Sequence, residues 1–213
     1  MQILSLKQNK DKSIYATTDI GLNFRLSINS IAKFNIFQGK LITEEEIREI
    51  QSEEKRSALL QLIIEYVAIR PRSTREISDY IDKILKRKFK LEKIGTEELL
   101  LKKSLIEYLI EKKYVDDSDF AKWWINNRVD FKNMSKKAIK YELLKKGISE
   151  NLIEENLTEL YSEEDEKTKI QNIILKKYKG IVISELNPKD KQKVISFLYN
   201  KGYNYELIKE IIQ

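Results

Sequence analysis

Three carboxylates crowd into four residues at Asp116, Asp117 and Asp119, inside the stretch KYVDDSDFAKWW that runs from Lys113 to Trp124. Clustered oxygen ligands of this kind are what a magnesium ion binds, and the first chemistry to consider is therefore an all-oxygen metal site. The chain has neither Cys nor His. Nucleophile–histidine catalysis, thiolate chemistry and ordinary zinc sites are thereby excluded, and what remains is carboxylate, Lys, Tyr or Ser chemistry. A carboxylate site on helices generally needs a second acidic set facing the first, and no comparable aspartate pair exists elsewhere. Helix geometry accounts for the same residues without a metal. With Asp116 as N-cap, Asp117 and Asp119 fall in the first turn beside the positive end of the helix dipole. Val115 and Phe120 then occupy the N′ and N4 places of a hydrophobic staple. The acidic runs TEEE (Thr43 to Glu46) and SEEDE (Ser162 to Glu166) sit at helix starts in the same way. The residues point to no metal, no cofactor and no enzyme.

The second constellation is basic. Arg70, Arg72 and Arg75 cluster at one predicted helix start, and LKRKFK, containing Lys86, Arg87 and Lys88, lies at the far end of that helix. Lys132, Lys136, Lys137 and Lys140 form a corresponding set in the next unit. The whole chain carries 40 Lys/Arg against 34 Asp/Glu, but the excess is local: from Arg70 to Lys140 the count is 19 against 12. A solvated surface explains a single run, whereas two runs in corresponding places predict a continuous basic face for a polyanion or an acidic protein. Cations at a helix start oppose its dipole, so Arg70 to Arg75 are not there for helix stability. Of the adjacent Trp123 and Trp124, set about 100 degrees apart around a helix, one is expected in the core and the other at a partner or between units.

The elements that must position these residues are mostly helical. Six glycines and two prolines in 213 residues leave few turn signals. Residues 1 to about 36 are the exception: Ile3, Leu4 and Leu6, then Ile14 and Tyr15, then Phe24, Leu26 and Ile28 alternate as a small three-stranded antiparallel sheet. A capping box at Thr43 and Glu46, with Ile42 and Ile47 as its staple, starts a short helix within residues 1–52. From about Glu53 the apolar stripes and caps give nine helices. Pro71 ends the first of these, and Ser73 with Glu76 makes a second capping box. Caps with flanking staples recur at Ser135, Ser149 and Asn204.

An internal repeat organises them. Lys146-Gly147-Ile148-Ser149 matches Lys201-Gly202-Tyr203-Asn204 at an offset of 55, with Leu143 opposite Leu198 and Ile139 opposite Val194. Each glycine falls where a helix ends and a left-handed residue is wanted. The fold class that follows is mainly α: three tandem three-helix repeats at 53–115, 116–161 and 162–213, stacked as a curved elongated array. A β-rich region at 1–52 precedes them. No apolar run approaches the ~20 residues of a membrane span, and the N-terminus lacks a signal-peptide pattern, so a soluble cytoplasmic protein is expected.

The ordered landmarks Arg70-Pro71-Arg72-Ser73-x-x-Glu76-Ile77, Tyr114-Val115-Asp116-Asp117-x-x-Phe120-Ala121, Ile139…Leu143…Lys146-Gly147-Ile148 and Phe197-Leu198…Gly202-Tyr203…Ile208 resemble the RecX family of RecA regulators. The likeness extends through the N-terminal section, including IAKFNIFQGKLI (Ile31 to Ile42), and covers essentially the whole chain. The resemblance implies three tandem three-helix repeats and a non-enzymatic modulator of the RecA nucleoprotein filament on single-stranded DNA; a monomer is expected. It would limit filament growth, strand exchange and ATP hydrolysis in recombination, DNA repair and the SOS response. Some members also bind DNA directly. Arg70, Arg72, Arg75, Lys86, Arg87, Lys88, Lys132, Lys136, Lys137 and Lys140 are the candidate contacts to filament or DNA. The sequence departs from the family where Lys88 and Asn133-Met134 stand at positions commonly held by glycine. A helical DNA-binding module or transcription factor acting without RecA is the alternative, and a magnesium enzyme built on Asp116 to Asp119 a third.

Overall fold

The computed structural model describes residues 1–9, 13–177 and 186–212, with the backbone alone for Phe131 and Lys132. The chain packs as two compact units, one of Met1–Ala68 with Tyr80–Glu107 and one of Ile69–Asp79 with Tyr108–Gln213.

In the first unit, β1 (Ile3–Gln8), β2 (Ile14–Thr18) and β3 (Asn23–Leu26) form an antiparallel meander in that order. Leu6 faces Ala16 across β1 and β2, and Ala16 faces Phe24 across β2 and β3. Alternation works as expected: Ala16, Phe24 and Leu26 are buried while Tyr15 and Arg25 are exposed. Ile28 does not extend the third strand. Ser27 caps a short helix, α1 (Ile28–Lys33), by accepting the Ser30 N–H at 3.1 Å, and its own N–H is taken by Glu54 at 2.6 Å.

The next helix, α2, runs unbroken through Glu44–Ile69, so the short helix expected before residue 53 is the first third of a longer one. Its capping box is made in both directions, Glu46 N–H to Thr43 Oγ1 at 3.1 Å and Thr43 N–H to Glu46 Oε2 at 2.9 Å. Nothing between the box and Pro71 removes a backbone donor or favours a break. Ile47 and Ile50 on its first turns complete one core with Ile3, Ala16, Phe24, Leu26, Ile36 and Ile42, which gives the small sheet the support it lacks alone. Of helices α3 (Thr74–Arg87) and α4 (Thr96–Glu111), this unit holds the parts from Tyr80 onward and up to Glu107. Within this unit Tyr66 stacks on Tyr80 with centroids 3.9 Å apart, and Lys55 meets Glu98 at 2.6 Å.

The second unit contains α5 (Asp117–Lys132), α6 (Lys136–Lys145), α7 (Glu150–Leu160), α8 (Glu163–Lys177), α9 (Pro188–Asn200) and α10 (Tyr205–Ile212). Two clusters hold it: Phe120, Ile125, Ile139, Leu143, Ile153 and Tyr161 among α5 to α7, and Ile170, Ile174, Val194, Leu198 and Ile208 among α8 to α10. Gly147 and Gly202, ending α6 and α9, have φ of +83° and +87°, the left-handed conformation the offset-55 match requires. Asn133, in the place of the common glycine, also takes a left-handed φ of +44°, which asparagine tolerates better than other side chains.

Asp116 is the N-cap of α5, accepting the Ser118 and Asp119 N–H groups at 2.7 and 3.1 Å, and Val115 and Phe120 of its staple are both buried. Among the described residues no group of three or more acidic side chains is arranged to hold a metal ion. Asp116→Ala should therefore cost about 1 kcal/mol of stability. Urea denaturation with and without millimolar magnesium checks this. Magnesium that stabilises the parent protein but not the variant would restore the metal reading. The cap at Ser149 differs from its counterparts, because its extended backbone starts α7 with no side-chain hydrogen bond.

Candidate interaction surface

The landmark residues are joined by one construction used twice in the second unit. Ser73 ahead of α3 accepts the Glu76 N–H at 3.2 Å and donates its hydroxyl to the Lys146 carbonyl at 2.8 Å. Ser135 ahead of α6 accepts the Ala138 N–H at 3.3 Å and donates to the Lys201 carbonyl at 2.8 Å. Each serine thus caps its own helix and grips the turn before a glycine in the next three-helix group. An acid from that group completes each joint: Asp117 accepts the Thr74 N–H at 2.7 Å, and Glu166 accepts the Lys136 N–H at 3.2 Å. Buried Tyr161 and Tyr203 donate to the carbonyls of Met134 and Asn133 at 2.9 and 2.7 Å. Burial pushes both phenols up from their ordinary range, so they remain protonated donors. Burial likewise raises the Glu166 carboxyl, opposed by its bond to the Lys136 backbone.

The joint places two cations in equivalent positions. Arg75 lies two residues after Ser73, and a Cβ built on Gly147 would sit 2.8 Å from its Cβ. Lys137 lies two residues after Ser135, with its Cβ 3.4 Å from a Cβ built on Gly202. Both side chains cover a glycine turn, remain exposed, and have no carboxylate partner among the described residues. Packing against the turn fixes their stems, leaving the charge at the surface.

The other candidate residues divide. Arg70 donates twice to Glu76, at 3.0 Å in each bond, and lies 5.5 Å from the Trp123 ring centroid. Glu76 also receives Lys146 at 2.6 Å. Arg70 is therefore held by the fold: the charge opposing the helix dipole is answered by the acid of the expected capping box, whose side chain turns to Arg70 and Lys146 instead of back to Ser73. Burial would raise the Glu76 carboxyl, but hydrogen bonds and charge from Arg70 and Lys146 outweigh it and hold it below the usual carboxylate range. Lys140 is engaged with Glu150 and Glu154 at 2.6 and 2.5 Å. Arg72 and Lys136 are half-buried, the Lys136 ammonium standing 5.6 Å from the Tyr161 ring. Lys86, Arg87 and Lys88 are exposed on the first unit, where Lys88 borders an open cleft of about 1150 Å³ also lined by Arg25, Arg48, Glu65 and Glu97. The side chain of Lys132 lies outside the described residues.

Both tryptophans serve packing. Trp124 is buried, donates Nε1–H to Glu142 at 2.8 Å and carries the Arg128 guanidinium 4.0 Å above its ring, while Trp123 packs on the same core. What the sequence reading missed is a second set of exposed rings beside the basic residues: Tyr141, Tyr199 and Tyr205. Their departure from the apolar stripes of α6, α9 and α10 was the available signal.

Comparison with known proteins agrees with this architecture. The family model described as "RecX, second three-helix domain" matches residues 116–157, and "RecX, third three-helix domain" matches 163–212. A Regulatory protein RecX of Finegoldia magna is 28% identical over 99% of this chain and 97% of its own length. Over nearly its whole length the chain is thus similar to RecX regulatory proteins. A RecX of Listeria monocytogenes serotype 4b is also 28% identical, over 98% of this chain and 74% of the relative. Two solved structures share the fold. A regulatory protein RecX superposes with a TM-score of 0.73 at 19% identity, covering 99% of this chain and 98% of that one. The RecX of Lactobacillus salivarius gives 0.61 at 22%, over 76% and 96%. These relatives carry the name of regulatory proteins, and in this chain no helix among the described residues is long and apolar enough to cross a membrane.

Proposed function

We propose that this chain is a non-enzymatic, cytoplasmic regulator that binds the RecA nucleoprotein filament on single-stranded DNA and inhibits filament extension, strand exchange and ATP hydrolysis. Its contacts are drawn from the ten basic residues named above, with Arg75 and Lys137 foremost. The observation that carries this reading is the repeated joint, which sets an exposed cation, without a carboxylate partner among the described residues, at the same place in successive three-helix groups. A filament offers the same surface at regular intervals, and repeated weak contacts to neighbouring subunits act together through effective concentration. The division into three repeats at 53–115, 116–161 and 162–213, acting as a monomer, belongs to the same proposal.

Co-sedimentation with RecA assembled on single-stranded DNA tests it. The protein should pellet with filaments, and the Arg75→Glu, Lys137→Glu double variant should bind at least about tenfold more weakly while keeping its helical content, because reversed charges face the same anionic surface. Failure to pellet would overturn the proposal. Equal binding to DNA without RecA, falling steeply with salt, would favour a DNA-binding module instead.

A further inference from the structure

Beside the second joint, an open groove of about 430 Å³ runs between α6 and α9. Its floor is Ala138, Leu144 and the rings of Tyr141 and Tyr199, and the tyrosines are both 59% exposed, although core geometry would allow either position to be polar. Three lysines stand on the rim and no carboxylate belongs to the lining. Lys140 is held by Glu150 and Glu154, but Lys137 and Lys201 have no carboxylate partner among the described residues. The groove therefore combines an apolar floor with uncompensated positive charge.

We infer that this groove is a docking site for an acidic peptide segment of a protein partner, one carrying a large apolar side chain among its carboxylates. Charge complementarity selects an anion, and the floor selects among anions. An apolar anchor set between Tyr141 and Tyr199 removes both half-exposed rings from water, while flanking carboxylates meet Lys137 and Lys201. The rings themselves argue against an unpaired base as occupant. Tyr141 already carries the Lys145 ammonium 4.2 Å from its centroid, and Tyr199 is set edge-on to Tyr205 at 88° with centroids 6.3 Å apart. Each ring thus already has a neighbour on part of its surface, which leaves less of it for stacking on a base than for lining a side-chain pocket. This inference rests on the reading of the chain as a protein-binding regulator and specifies the chemistry of one contact.

The test uses the full chain and three probes: a short fluorescent peptide of glutamates with one phenylalanine and one leucine, the same peptide with serines in place of those two, and oligo-dT. The apolar-containing peptide should bind at least about tenfold more tightly than the serine version and should perturb the Tyr141 and Tyr199 ring signals in NMR spectra. Lys137→Glu with Lys201→Glu should reduce its affinity at least about tenfold, and Tyr199→Ala should abolish the difference between the two peptides. Equal binding of both peptides, no binding, or perturbation elsewhere would overturn the inference. Tighter binding of oligo-dT at these rings would assign the groove to nucleic acid. Peptide binding without pelleting on RecA filaments would sink the functional proposal and keep the groove, and pelleting by a chain that binds neither peptide would do the reverse.

Discussion

Gly202→Val is expected to destabilise the protein by about 3 kcal/mol, from a left-handed backbone forced on a β-branched residue together with loss of the Ser135 hydrogen bonds. A Cβ at this position would sit 2.9 Å from Ser135 Oγ. Relief requires the serine to rotate, and rotation forfeits both the Ala138 cap and the bond to Lys201. Gly21→Val provides the comparison: its φ is +79°, yet nothing lies within 4 Å of the new Cβ, so only the backbone strain of about 1–2 kcal/mol applies. Urea denaturation of both variants separates the two contributions. Equal losses would show that the serine-to-turn joint adds nothing to stability.

The other large effect is predicted at Glu76, whose side chain is only 11% exposed and receives both Arg70 and Lys146. Glu76→Ala leaves two partly buried cations without their common acceptor, and should cost about 2–3 kcal/mol, less than a fully buried pair because Arg70 and Lys146 keep some contact with water. The pH dependence has a definite sign. With its folded value held below the ordinary carboxylate value, Glu76 contributes stability above the unfolded pKa, and that contribution disappears as pH falls through the folded one. The gap between the parent protein and Glu76→Ala, measured by urea denaturation, should therefore be widest near neutrality and shrink on acidification below the usual carboxylate range. A gap that stays constant from pH 7 to strong acid would contradict the ion-pair account.

The local signals of the chain were legible wherever the structure depends on neighbours in sequence. Asp116 caps, Val115 and Phe120 staple, and Gly147 and Gly202 turn, because each of these needs only a residue type at a fixed offset. Ile28 was assigned to a strand since its apolar character fits one, but Ser27 and the remote Glu54 together make a helix start there. The unbroken course of α2 was also obscured, as a stripe that changes partners between its first and later turns looks like two helices.

The interaction surface was less legible for a physical reason. A run of Lys and Arg in sequence does not say which ammonium finds a carboxylate, and those partners lie far away: Lys146 is 70 residues from Glu76, while Lys140 is 10 and 14 residues from its two acids. Arg70 and Lys140 look the same as Arg75 and Lys137 in one dimension. Only the fold separates cations held in ion pairs from those left on the turn-covering positions. The opening cluster has a similar history, since Asp117 serves Thr74 across the joint rather than a metal.

The most direct test of the central claim is the rate of RecA-coupled ATP hydrolysis on single-stranded DNA as this protein is titrated in. The account predicts a progressive fall with added protein, with Arg75→Glu, Lys137→Glu requiring at least about tenfold more for the same effect. An unchanged rate at saturating protein would contradict it.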